Sequence, residues 1–149
     1  MDNTVKTFIC YSKEDYSIAK KIYNDLIACG ISVWLDEEDV LVGQNKEISI
    51  RKAISQSDYF IIILSSNSLT KRGYFQKELK IALNILDEFP PEDIFILPIR
   101  IEDCYFYEER ISNLQSCDLF ESYEIGFQKI INVFQSNTRL KGKRIGNSK

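Results

Sequence analysis

The chain contains no histidine among its 149 residues, and that absence removes several chemistries at once. A serine hydrolase loses its usual general base. A zinc centre is disfavoured too, because the four cysteines, Cys10, Cys29, Cys104 and Cys117, are widely spaced and form no C-x-x-C pair. Cys10 and Cys29 fall inside a predicted strand and a predicted helix, where free cysteine behaves as a small hydrophobe, so reduced thiols in a cytoplasmic protein are expected. No G-x-G-x-x-G follows the first predicted strand and no Walker loop with its lysine occurs, so the usual dinucleotide and nucleoside triphosphate sites lack support. No apolar run approaches the roughly 20 residues that span a bilayer. The amino terminus shows no charged-then-apolar signal segment. The expectation is a soluble protein that stays in the compartment where it is made, with no membrane partner, no metal and no bound cofactor.

What is present is ordinary for a globular domain: 44% hydrophobic and 28% charged residues. The length suits one domain, which buries roughly two-thirds of its unfolded surface. Charge is uneven. Arg139, Lys141, Lys143, Arg144 and Lys149 lie in the last stretch, and removing those five from a net charge of −3 leaves −8 on the rest. An acidic body argues against a nucleic-acid partner, and a basic end is read as a solvated tail. The division expected is a domain over 1–135 and a basic tail over 136–149.

Strand and helix patterns alternate along the chain. Val5–Cys10 reads as a strand, and Ser12 with Asp15 as a capping pair for a helix over Lys13–Cys29, which Gly30 ends. Ile31–Leu35 is a second strand. Asp36–Asn45, with four consecutive acids and Gly43, reads as a loop whose Asn45 caps a helix bearing Ile50, Ala53 and Ile54. Asp58–Leu64 is a continuous apolar run, as in a strand buried on both faces. Phe75, Leu79, Ala82, Leu83 and Leu86 then recur at helical spacing until Pro90-Pro91. Ile94–Ile99 is a fourth strand, with Pro98 marking its end or an irregularity. Irregular structure is expected over 100–115, followed by a short edge strand at Cys117–Phe120. Ser122 caps a last helix with Phe127, Ile130, Ile131 and Phe134 inward. Short connections between these strands permit only crossovers, which predicts an α/β fold: a five-stranded parallel sheet, helices on both faces, strand order 2-1-3-4-5.

In such a sheet ligands bind beyond the carboxyl ends of the strands. Glu78 falls there, next to the apolar stripe of its helix, and Tyr74 lies one turn before it. Two readings of Glu78 stand on the residues alone: a solvated acid on a helix face, or a carboxylate lining a ligand cleft. Placed beside the stripe, it is expected to be replaceable with little change in stability. Tyr11 and Ser12 end the first strand, where a half-buried ring and a helix cap compete with ligand contact. Asp36 ends the second, as a loop cap or a ribose contact. An aspartyl-phosphate receiver would carry acids where this chain has Cys10-Tyr11-Ser12.

Phe8-Ile-Cys-Tyr-Ser12, Trp34-Leu-Asp36 with Gly43 after it, Ile61-Ile-Ile-Leu-Ser65 with Ser66-Asn-Ser-Leu69, and Tyr74-Phe-Gln-Lys-Glu-Leu79 occur in an order and spacing that resembles the TIR (Toll/interleukin-1 receptor) family. The likeness runs from Val5 to Phe134 and is strongest to bacterial members, including stand-alone TIR NADases of anti-phage defence. It implies a flavodoxin-like TIR fold and cleavage of the nicotinamide–ribose bond of NAD+, which is substrate and not cofactor. By the resemblance Glu78 is the catalytic carboxylate, with Tyr74, Tyr11, Ser12, Asp36 and Ser65 facing substrate. The family usually has tryptophan where Tyr74 stands. Some members carry a second acid that aligns near Leu41; the acids Asp36 to Asp39 are offset from it and receive no catalytic role. A carboxylate near the ribose stabilises an oxocarbenium-like transition state, and nicotinamide leaves without needing a proton donor. The resemblance further implies self-association through the loop that holds Asp39, Leu41 and Gly43, and a separately encoded effector that answers the product. A non-catalytic TIR–TIR scaffold is the alternative.

Overall fold

The structure is a computed structural model and describes residues 4–69 and 74–136, with side chains in the second stretch from Phe75 onward. The tail expected over 136–149 lies, past Ser136, outside the described residues. Five parallel strands form one sheet: β1 (Lys6–Cys10), β2 (Ser32–Trp34), β3 (Tyr59–Leu64), β4 (Ile96–Arg100) and β5 (Cys117–Asp118), in the order β2-β1-β3-β4-β5. Between them run α1 (Tyr16–Ala28), α2 (Asp36–Asp39), α3 (Lys46–Gln56), α4 (Ser66–Leu69), α5 (Tyr74–Leu86) and α6 (Glu109–Ser112), with α7 (Tyr123–Ser136) last.

Alternation along β3 divides the core in two. Tyr59, Ile61 and Ile63 pack with Ala19, Ile22 and Leu26 of α1 and Ile130, Ile131 and Phe134 of α7. Phe60, Ile62 and Leu64 pack on the other face with Ile50 and Ile54 of α3 and Phe75, Leu79 and Leu83 of α5. All six β3 residues are buried, as a central parallel strand covered on both faces requires. Helices on both faces, five strands and their order thus stand as the sequence predicts.

Local signals hold where the chain is regular. The Asn45 side chain accepts from the Ile48 amide at 2.9 Å and starts α3, and the Ser122 hydroxyl accepts from Ile125 at 3.3 Å and starts α7. Gly30 takes φ +85 just after α1, with Cys29 at the C-cap and half-buried instead of inside the helix. Pro98 lies within β4, opposite Ile62. Carbonyls of successive residues through β4 face alternate sides: Phe95, just before β4, accepts from Phe60 of β3, and Arg100 accepts from Leu119 beyond β5. Pro98 shares the parity of Arg100, and β5 pairs only with Ile99 and Arg100, so the missing N–H interrupts no ladder bond.

Candidate functional site

Where β1, β2 and β3 end, three elements bring acids and aromatics together. Tyr11, immediately after β1, donates its hydroxyl to Asp36 Oδ1 at 2.6 Å. Asp36 opens α2 and also accepts from the Glu37 amide at 2.8 Å. Burial and the Asp36 bond hold the Tyr11 phenol far above its ordinary range. The acidic run expected as loop is a helical turn, and three of its acids are engaged. Asp36 meets Tyr11, Glu38 pairs with Lys20 at 2.7 Å and Tyr16 at 2.5 Å, and Asp39 caps the Leu35 amide at 2.8 Å. Only beyond Val40 does the chain leave the body. Leu41–Gln44 is a β-turn closed by Gln44 N to Leu41 O at 3.0 Å, with Gly43 at φ +93, the backbone a type II turn demands of its third residue. Leu41 is 65% exposed and Val42 wholly so.

Glu78 enters from the first turns of α5. The stripe Phe75, Leu79, Ala82 and Leu83 is buried as the spacing predicts, but Glu78 is buried too, at 6% exposure. The sequence places it beside the stripe, and its neighbours come from three other elements: Cys10 at the end of β1, Asp36 at the start of α2 and Lys46 at the start of α3. Burial pushes its carboxyl up to about 8; the neighbouring Cys10 thiol and Lys46 pull down, and Asp36 adds to the rise. Cys10 is itself fully buried, its thiol raised by burial and by Glu78, with Sγ 4.0 Å from the Phe75 carbonyl oxygen. A carboxyl in this setting is poised between forms near neutral pH, an arrangement associated with chemistry more than with surface solvation.

Ser12 and Ser65 are almost wholly buried, at 2% and 0% exposure. Both hydroxyls donate to Asp15 Oδ2, at 2.9 and 2.5 Å, and Asn67 donates to Oδ1 at 2.9 Å. Asp15 therefore does not cap a backbone amide with its side chain, as the local pattern suggests; it joins turns that are fifty residues apart in sequence. Tyr74 begins α5, and its side chain lies outside the described residues. Among the described residues no group of three or more acids, cysteines or histidines could hold a metal.

A sequence profile of the TIR domain matches residues 7–131. The chain belongs to the TIR domain family. Curated relatives include the NAD(+) hydrolase TcpC of Escherichia coli O6:H1, 32% identical over 52% of this chain and 25% of its own. The probable 2' cyclic ADP-D-ribose synthase TcpO of Methanobrevibacter olleyae is 32% identical over 54% of this chain and 24% of its own. The NAD(+) hydrolase TcpA of a Theionarchaea archaeon is 34% identical over 48% and 22%. The chain thus spans about a quarter of the length of these relatives. The TIR domain of the Toll-related receptor TRR-2 from Hydra magnipapillata superposes with TM-score 0.71 at 20% identity, covering 87% of this chain and 98% of that one. The TIR domains of the activated Roq1 resistosome give 0.71 at 17% identity, covering 88% and 99%. These two show a shared fold.

Within this TIR domain the structure gathers Tyr11, Asp36 and Glu78 at one end of the sheet and holds Ser12 and Ser65 buried on Asp15 in the turns after β1 and β3. The burial of Glu78 and its thiol neighbour were not read from the sequence. The strand period held part of the signal: Cys10 shares the parity of Phe8, whose face meets α5. Asp15 had no such signal, since its partners are set by the parallel pairing of β1 with β3, which brings the turns after them together.

Proposed function

We propose that this TIR domain cleaves the nicotinamide–ribose bond of NAD+, with Glu78 as the catalytic carboxylate. The observation that carries the reading is a carboxyl buried at the ligand-binding end of a parallel sheet, raised to about 8, beside Tyr11 and Asp36. As the bond breaks, the ribose gains positive charge, and a carboxylate in a site shielded from water stabilises that charge strongly. The cationic nicotinamide ring, brought near Glu78, favours the ionised form in the bound state. Tyr74, one turn before it, is assigned to flank the ring or the ribose, and Tyr11 with Asp36 to the ribose hydroxyls. Ser12 and Ser65, buried and bonded to Asp15, hold the turns that follow β1 and β3. The names of the curated relatives, NAD(+) hydrolases and a cyclic ADP-ribose synthase, favour the same bond. The products are nicotinamide and ADP-ribose, or a cyclic or conjugated form; in this reading that product signals to a separately encoded effector in anti-phage defence in the cytoplasm.

Exposed Leu41 and Val42 favour a second component, self-association. A cavity of about 240 Å³ at the opposite edge of the sheet is lined by Ile94, Ile96, Leu97, Ile130, Val133 and Lys129. It offers an apolar seat for the Leu41–Gln44 turn of another copy and a cation for the acidic α2 that precedes that turn. Taken without catalysis, the same contacts make a scaffold. Concentrated protein incubated with NAD+ and analysed by mass spectrometry separates the two. Nicotinamide release by the wild type and its loss in Glu78→Gln are expected; full turnover by the Gln variant removes Glu78 from the mechanism, and no cleavage by either leaves the scaffold.

A further inference from the structure

With Glu78, Asp15 is one of two buried acids among the described residues, and the role given to the site does not use it. A buried carboxylate is costly unless its oxygens are satisfied, and here three donors from two separate turns do so. The turns need such a link. β1 and β3 pair only as far as Cys10 opposite Ile62, while β3 continues along β4 to Leu64. Past Cys10, the turn carrying Tyr11 and Ser12 and the turn at Ser65 leave the sheet without further β1–β3 pairing. On the far side, Ser65 and Ser68 cap one another reciprocally: Ser68 N to Ser65 Oγ at 3.2 Å and Ser65 N to Ser68 Oγ at 2.8 Å. The start of α4 is therefore a stiff unit that Asp15 grips through Ser65 and Asn67.

We propose that Asp15 is a positioning residue of the site: its carboxylate clamps the turn after β1 to the turn after β3, and so fixes Tyr11 at the end of the sheet where Asp36 and Glu78 gather. The proposal rests on the reading of Glu78 as the NAD+-cleaving carboxylate. Asp15 touches no reacting atom; it sets the registration of groups that do, and misplacement of about 1 Å can cost about 10²-fold in rate.

The test uses the full chain and three variants. In Asp15→Asn the amide oxygen still serves the serines, but its NH2 faces the Asn67 NH2, two donors head to head. Adding Asn67→Asp supplies an acceptor and rebuilds the bond with reversed polarity. Asn67→Ala removes one arm and leaves Asp15 with both serines, a milder change should the first variant fold poorly. Kinetics with NAD+ are run beside amide hydrogen exchange over residues 11–13 and 65–69. Asp15→Asn is expected to lower kcat about 10²-fold with KM within about threefold, and to speed exchange at both turns. Asn67→Ala should give the same signs at smaller size, and the double variant should restore both readouts. Faster exchange with unchanged kcat in Asp15→Asn or Asn67→Ala overturns the proposal alone, as does a double variant that recovers exchange but not kcat. A wild type that does not cleave NAD+ at all overturns the reading of Glu78 first, and this proposal with it.

Discussion

At Glu78 one side chain carries both a stability and an activity consequence. Its ordinary carboxyl value of 4.5 is raised to about 8 by folding, so between those limits the folded state holds a proton that the unfolded state has released. Stability from this group is full below about pH 4.5 and falls as pH rises towards 8, by at most about 1.4 kcal/mol per unit. Glu78→Gln removes the titration. Thermal or urea unfolding of wild type and variant should therefore agree near pH 4.5 and diverge upward, with the variant the more stable at pH 8; parallel curves would show that Glu78 does not titrate there. This corrects the expectation from helix spacing that replacing Glu78 leaves stability untouched. That spacing located the residue beside the stripe but carried no information on the ends of β1, α2 and α3 that surround it. The activity consequence has the opposite sign. If the carboxylate form serves the oxocarbenium, about one molecule in ten is competent at pH 7, and kcat/KM should rise with pH through half its limit near 8 to a plateau above about 9. A profile flat from pH 6 to 9 would contradict ionisation of Glu78 as the controlling step.

At the scale of elements, the long periodic segments were legible because burial and period coincide. The apolar run of β3 and the stripes of α1, α5 and α7 could pack in few other ways, and short crossovers left one sheet topology to expect. What failed was chemistry decided between elements. Four acids in a row suggest a loop until Tyr11, Lys20, Tyr16 and the Leu35 amide supply partners that steady α2 as a turn. Of the caps, Asn45 and Ser122 are local and were readable, whereas the Ser12–Asp15 pair turned to bonds across the sheet, and Asn45 gives a clean test. Asn45→Ala removes the acceptor for the Ile48 amide and should cost about 1 kcal/mol. Urea unfolding should show a lower midpoint at constant slope. An unchanged midpoint would mean that packing of Ile50, Ala53 and Ile54 alone sets the start of α3.

For the whole molecule, the turn at Leu41–Gln44 lies with β2 at one edge of the sheet and the apolar cavity with β4 and β5 at the other. A contact between such unlike surfaces is head to tail, and builds a ring where the rotation between copies closes and an open row where it does not. If copies meet in this way, the acids of α2 face Lys129 of the next copy, and the attraction should weaken as salt shortens the screening length to about 10 Å and below. If a neighbour helps to complete the cleft, specific activity rises with protein concentration, whereas a self-sufficient monomer keeps it constant. Val42→Asp tests the seat directly. Its side chain is fully exposed, so folding stability should move by no more than about 0.5 kcal/mol. Placing a carboxylate in an apolar groove should abolish association. Gly43→Ala acts through the backbone instead, because φ +93 is strained for any side chain although nothing lies within 4 Å of the added carbon. Both variants should lose activity in step with particle size when kinetics over a hundredfold dilution are run beside light scattering. Full activity in a monomeric Val42→Asp would confine catalysis to a single copy and leave the turn without a part in it.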